Sequence, residues 1–177
     1  MAIVASLIVL IACQKEGSYS PQTIQVRGLF SLTGNWSTLG ITSQAAIELA
    51  AEYINTYLAD KKSGFKLAVS VSDTKLETDR AKTLFTEANS NKISFIIGPQ
   101  SSAELAAIKP LSDAAETIVI SQSSTAGSLA IAGDAIFRFC PSDKIEGAAM
   151  AATISKNGFK GLVTIARDDA GNKGLQS

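Results

Sequence analysis

Three short clusters of Ser, Thr, Gly and Gln concentrate the uncharged polar chemistry of this chain: Ser31-Leu32-Thr33-Gly34, Gly98-Pro99-Gln100-Ser101-Ser102 and Ser121-Gln122-Ser123-Ser124-Thr125. Each follows an apolar run and precedes an expected helix start. The first turn of a helix carries unpaired N–H groups at the positive end of its dipole, a favourable place for an anion. Small hydroxyls add donors there without adding charge. Gly34 and Gly98 permit close approach of the backbone, so the set suits a carboxylate. Ser and Thr are also preferred helix caps and turn formers, and Ser37, Ser101 or Thr125 could serve in that way. Capping and ligand binding are compatible roles.

Other chemistries find less support. The chain has no His, so the commonest general base and the commonest metal ligand are missing. Ser72-Asp73-Thr74-Lys75 satisfies the S-x-x-K nucleophile pattern, but no K-T-G partner occurs and the motif falls at a strand end. Asp168-Asp169 lacks the alternating oxygen ligands and terminal Glu of a calcium loop, so no metal is expected. Neither G-x-x-x-x-G-K-[ST] nor G-x-G-x-x-G is present, and no nucleotide or other cofactor is expected. Asn35-Trp36-Ser37 is a formal glycosylation sequon with an accidental origin the simpler account. Lys plus Arg equals Asp plus Glu at 16 each, which leaves no surplus positive charge for nucleic acid.

The elements that must position the polar clusters follow from hydrophobic periodicity. Residues 24–32 alternate like a strand, and 38–59 place Ala46, Leu49, Ala50, Tyr53, Ile54, Tyr57 and Leu58 on one helical face. Residues 65–71 alternate again, and 77–91 form a second helix through Ala81, Leu84, Phe85 and Ala88. Residues 93–97 form an apolar run suited to a strand covered on both faces. A helix over 102–115, a strand over 117–121, a short strand over 136–139, a helix over 143–157 and a strand over 161–166 complete the order. Strands alternating with helices of this length predict an α/β fold with a doubly wound parallel sheet. In such sheets a ligand lies outside the carboxyl ends of the strands, where all three polar clusters fall.

The first residues have a different character. MAIVASLIVLIAC, residues 1–13, is too short for a bilayer-spanning helix, which needs about 20 apolar residues, and fits a signal-peptide core. Leu10-Ile11-Ala12-Cys13 resembles the bacterial lipobox, which implies lipidation at Cys13. The polar stretch 14–22, QKEGSYSPQ, reads as a tether. Cys140, the only other cysteine, is expected to be a buried free thiol.

Five phrases carry a family resemblance: GLFSLTGNWSTLGITSQAAIELAAEYIN, SDTKLETDRAKTLFTEA, FIIGPQSSAEL, IVISQSSTAGSL and FRFCPSDKIEGAAMA. In order and spacing the chain from Ile24 to about Leu175 resembles the N-terminal part of type I periplasmic binding proteins of the leucine/isoleucine/valine-binding family. The resemblance implies that Ser101, Ser102, Ser123 and Thr125 grip the α-amino and α-carboxylate groups of an amino acid, with Ser124 in the same turn. Gly34 lies in the first cluster, and Trp36 or Leu39 would wall an apolar side-chain pocket. Leu39 stands where the family often has an aromatic, and RDDAGNKGL carries Gly171 and Asn172 where the family often has an aromatic followed by glycine. The implied organisation is a signal peptide and lipobox over 1–13, a tether over 14–22, an N-terminal ligand-binding lobe over 23–141, and only the start of a second lobe over 142–177. The implied function is a monomeric, lipid-anchored, extracytoplasmic receptor that delivers its solute to an ABC transporter permease and performs no catalysis. Two other readings are a ligand-sensing domain of a signalling receptor and, less in keeping with the lack of His, a small α/β hydrolase.

Overall fold

Apolar runs bounded by glycine and hydroxyl residues extend as strands because both faces of a parallel sheet can take up their side chains. The computed structural model describes residues 20–176; the expected lipobox Cys13, the signal segment and most of the tether lie outside them. The elements are β1 (Gln22–Phe30), α1 (Ser37–Asp60), β2 (Phe65–Asp73), α2 (Thr78–Ser90), β3 (Phe95–Ile97), α3 (Ser102–Ala115) and β4 (Ile118–Ser121). A single 3-10 turn (Gly127–Leu129), β5 (Ile136–Arg138), α4 (Asp143–Lys156) and α5 (Ala170–Gln176) follow. Five strands form one sheet in the order β2-β1-β3-β4-β5, and every pairing is parallel.

This strand order decides the layers. The chain moves one way from β1 to β2 and the other way from β2 to β3 and from β3 to β4. Right-handed crossovers therefore place α1 on one face and α2 with α3 on the opposite face. The core lies under α2 and α3, where Leu29, Ile96 and Val119 meet Ala81, Leu84, Phe85, Leu105 and Ile108. The buried residues of α2 are the four that its sequence periodicity marks, Ala81, Leu84, Phe85 and Ala88.

The other face is less covered. Helix α1 packs on β1 and β2 but leaves an apolar hollow that runs from Ile24, Val26 and Leu67 across to Phe95, Ile97, Ile118 and Ile120 over β3 and β4. The apolar face expected of α1 also looks outward, with Leu49 52% and Tyr53 70% exposed. Periodicity identified the helix correctly but not what the stripe would touch. The strand expected over 161–166 does not form. Residues 159–167 have no regular structure, and Val163 and Ile165 are exposed, because among the described residues no neighbouring strand supplies a ladder. Cys140 is free but only half-buried, with its thiol donating to the Ser124 carbonyl oxygen at 3.0 Å. No helix among the described residues is long and apolar enough to cross a membrane.

Candidate ligand-binding cleft

Strand β1 has β2 on one side and β3 on the other, which makes the β1/β3 edge a topological switch point. A cleft of about 340 Å3 opens at the strand carboxyl ends there. Trp36 from the β1–α1 turn and Leu76 from the β2–α2 turn line it. The start of α3 contributes Gln100, Ser101, Ser102 and Ala103, and the segment after β4 contributes Ser123 and Thr125. Arg167, Asp169, Gly171 and Asn172, around the start of α5, form the remaining wall.

Two glycines bring these turns together. A Cβ on Gly98, whose φ is +104°, would lie 2.1 Å from the carbonyl oxygen of Leu29, so only glycine lets the β3 turn cross the end of β1. A Cβ on Gly40 would lie 1.8 Å from the carbonyl oxygen of Ser31, which fixes how closely α1 approaches the β1 turn. Gln100 joins all three turns. Its buried Oε1 accepts from the Ser31 N–H at 2.5 Å, and its carbonyl oxygen accepts from the Ser123 hydroxyl at 2.6 Å. The Nε2 of Gln100 is buried without a hydrogen-bond partner.

The hydroxyls divide by what they already hold. Ser101 caps α3 in a capping box: its oxygen accepts from the Glu104 N–H at 3.1 Å, and its hydroxyl donates to the Glu104 carboxylate at 2.7 Å. The Ser102 hydroxyl is paired with that of Ser124 at 2.9 Å, and the Ser102 oxygen also accepts from the Ala126 N–H at 3.4 Å. The Ser123 hydroxyl donates to the Gln100 carbonyl oxygen and retains its lone pairs. Among the described cleft hydroxyls, Thr125 alone has no recorded hydrogen bond. The first-turn N–H groups of α3 at Ser102 and Ala103 have no intrahelical acceptor, as at any helix start.

Five of the residues singled out from sequence, Trp36, Ser101, Ser102, Ser123 and Thr125, line the one cleft. Gly34, Leu39 and Ser124 do not. Gly34 makes the β1 turn at φ +80°, Leu39 is an exposed residue of α1, and Ser124 is buried behind Ser102. Ser37 is the first helical residue rather than a cap, since α1 begins at the Trp36 N-cap without a side-chain cap bond. The turn after β4 leads only to a 3-10 turn in sequence, and the long helix that meets Thr125 is α4, whose first N–H, at Asp143, donates to the Thr125 carbonyl oxygen at 3.0 Å. Leu76 and Arg167 were not apparent from the sequence, because a leucine or arginine in a polar turn carries no periodic mark. The Asp169 carboxyl is held well below the ordinary carboxylate range by the Asn172 N–H and side-chain amide and by Arg167. At the opposite corner, burial pushes the Asp73 carboxyl up. Hydrogen bonds from the Thr33 hydroxyl and from the N–H groups of Lys75, Leu32 and Thr33 outweigh that, leaving it lowered.

The family described as "Receptor family ligand binding region" matches residues 42–177. The protein MJ1266 of Methanocaldococcus jannaschii, itself uncharacterised, is 30% identical over 159 residues, covering 86% of this chain and 38% of that protein. The leucine binding protein LivK of Thermotoga maritima superposes with a TM-score of 0.66 at 28% identity, over 76% of this chain and 37% of LivK. The branched-chain amino acid transporter substrate binding protein LivJ of Streptococcus pneumoniae, solved with isoleucine, gives a TM-score of 0.67 at 25% identity, over 76% of this chain and 38% of LivJ. The chain thus spans well under half the length of these relatives. Its parallel sheet, its cleft at the strand carboxyl ends and the matched region agree: the chain belongs to the receptor family ligand binding region family, with the fold of the type I periplasmic binding proteins of ABC transporters.

Proposed function

We propose that this chain is the ligand-capturing part of an extracytoplasmic solute-binding lipoprotein that takes a branched-chain amino acid or related small carboxylate and passes it to an ABC transporter permease. The observation that carries this reading is the meeting of an uncommitted hydroxyl, Thr125, with the open first turn of α3 in one cleft. In this reading the ligand carboxylate accepts from the Thr125 hydroxyl and from the N–H groups of Ser102 and Ala103. The ligand ammonium donates to the remaining lone pairs of Ser123. Ser101 and Ser124 act indirectly, the first by holding the helix start and the second by fixing Ser102. Residues 23–141 form the capturing lobe, 142–177 begin a second one, and lipid on Cys13 ties the protein to the membrane as a monomer. The chain performs no catalysis in this scheme.

The receptor description of the family favours a second reading, in which the same cleft is the sensing module of a signalling receptor. Both readings require binding, which Thr125→Val tests directly. Trp36 is the only tryptophan and lines the cleft, so its fluorescence reports ligand entry. A hydrogen bond to a charged group contributes about 1.5–3 kcal/mol, so titration with leucine should show roughly a 10- to 100-fold weaker Kd for the variant. Equal affinity in wild type and variant would remove Thr125 from the binding set.

A further inference from the structure

The cleft is chemically graded along the sheet. Over β3 and β4 it presents the α3 start, Ser123 and Thr125, with the wall of Arg167, Asp169 and Asn172 around the start of α5 packed on the α3 side, whereas over β1 and β2 it presents Trp36 and Leu76. A ligand with its charged head at the polar end therefore directs its body toward the apolar end. Leu76 stands there in an unusual way. Lys75 and Leu76 are consecutive non-glycine residues in the left-handed region, at φ +56° and +62°, a conformation that a branched apolar residue adopts only when its surroundings impose it.

Those surroundings centre on Asp73. Its Oδ1 accepts from the N–H groups of Leu32 at 2.8 Å and Lys75 at 2.9 Å, and its Oδ2 accepts from the Thr33 hydroxyl at 2.7 Å. The Thr74 N–H adds a bond to the Phe30 carbonyl oxygen at 2.8 Å. One carboxylate thus ties the turn bearing Leu76 to the turn bearing Trp36. An asparagine or glycine would suit the left-handed backbone better than leucine does, and this leucine lines the cavity.

We propose that Leu76, held against the cleft by the Asp73 strap, is a specificity-determining residue that selects carboxylate ligands with an uncharged apolar body. The inference rests on the carboxylate-capture reading above and adds to it the residue that grades ligands by their bodies.

The test is a ligand panel of glycine, leucine and phenylalanine titrated against wild type, Leu76→Ala and Leu76→Asn, followed by Trp36 fluorescence and by the NMR signal of its indole N–H. Wild type is expected to bind leucine more tightly than glycine. Leu76→Ala should weaken leucine about tenfold while leaving glycine unchanged, since about one side chain's partial burial is lost. Leu76→Asn keeps a residue that tolerates the left-handed backbone, so the same selective loss there assigns the effect to the apolar side chain rather than to the turn. Equal changes for glycine and leucine, or none, would overturn the assignment of Leu76 while leaving carboxylate capture standing. Failure of wild type to bind any of the three would remove the capture reading and this inference with it.

Discussion

Replacing Gly40 by alanine should damage the corner of the fold that carries Trp36, and the cost can be worked from the geometry. The new Cβ would sit 1.8 Å from the Ser31 carbonyl oxygen, 2.5 Å from its carbon and 3.1 Å from Gln100 Oε1. Neither neighbour on the Ser31 side is the flexible end of a side chain, so α1 and the β1 turn must separate by more than an ångström. Overpacking of this kind costs about 1–3 kcal/mol. The same opening strains the buried Ser31 N–H to Gln100 bond, and an unsatisfied buried group costs a further ~1–3 kcal/mol. Alanine returns up to about 1 kcal/mol as the better helix former. Taken at mid-range these contributions leave a net loss of about 3 kcal/mol, which for a chain of this size lowers Tm by about 6–12 °C. Thermal and urea unfolding followed by circular dichroism would measure it. Gly147, inside α4 with nothing within 4 Å of its would-be Cβ, is the control: Gly147→Ala should be neutral or slightly stabilising. If Gly40→Ala unfolds within about 2 °C of wild type, the contact does not constrain the turn and the reasoning fails.

Two other expectations concern the strap and the open face. Asp73 has a lowered pKa in the folded state, so its contribution is present above the unfolded value of about 3.9 and is lost as pH falls through the folded value. Asp73→Asn should therefore unfold at lower urea than wild type at pH 7, with the gap closing below about pH 4; a gap of the same size at pH 3 would contradict the assignment. The outward stripe of α1 should bind an apolar dye, since large contiguous exposed patches do so. Replacing Leu49 and Tyr53 together by lysine should reduce 8-anilinonaphthalene-1-sulfonate fluorescence without lowering Tm, because both are exposed at 52% and 70%. Undiminished dye binding would place the apolar surface elsewhere, with the hollow over β3 and β4 the next candidate.

Local pattern was enough to determine the elements and their order from β1 to α4, but not the irregular 159–167 or α5, which no periodicity marked. The period of α2 named its four buried residues, the alternation of β1 and β2 located long strands, and the glycine and hydroxyl clusters marked the turns at their carboxyl ends. Ser101 followed by Glu104 is a capping box in sequence and in space, because that interaction spans only one helical turn. What sequence alone could not supply was every relation between distant segments. Whether 161–166 becomes a strand depends on a neighbour to pair with, and whether the α1 stripe is core or surface depends on what packs against it. The cleft shows the same division. Ser123 and Ser124 are adjacent and chemically identical, yet one lines the cavity and the other is buried behind Ser102, a difference made by the direction in which the chain leaves β4. Leu76 reaches the cleft from a turn whose Asp73 accepts from the N–H of Leu32, 41 residues away along the chain, across two neighbouring strands. Short-range periodicity and capping are written in consecutive residues, whereas a site assembled from five separate segments exists only once the sheet has set their order.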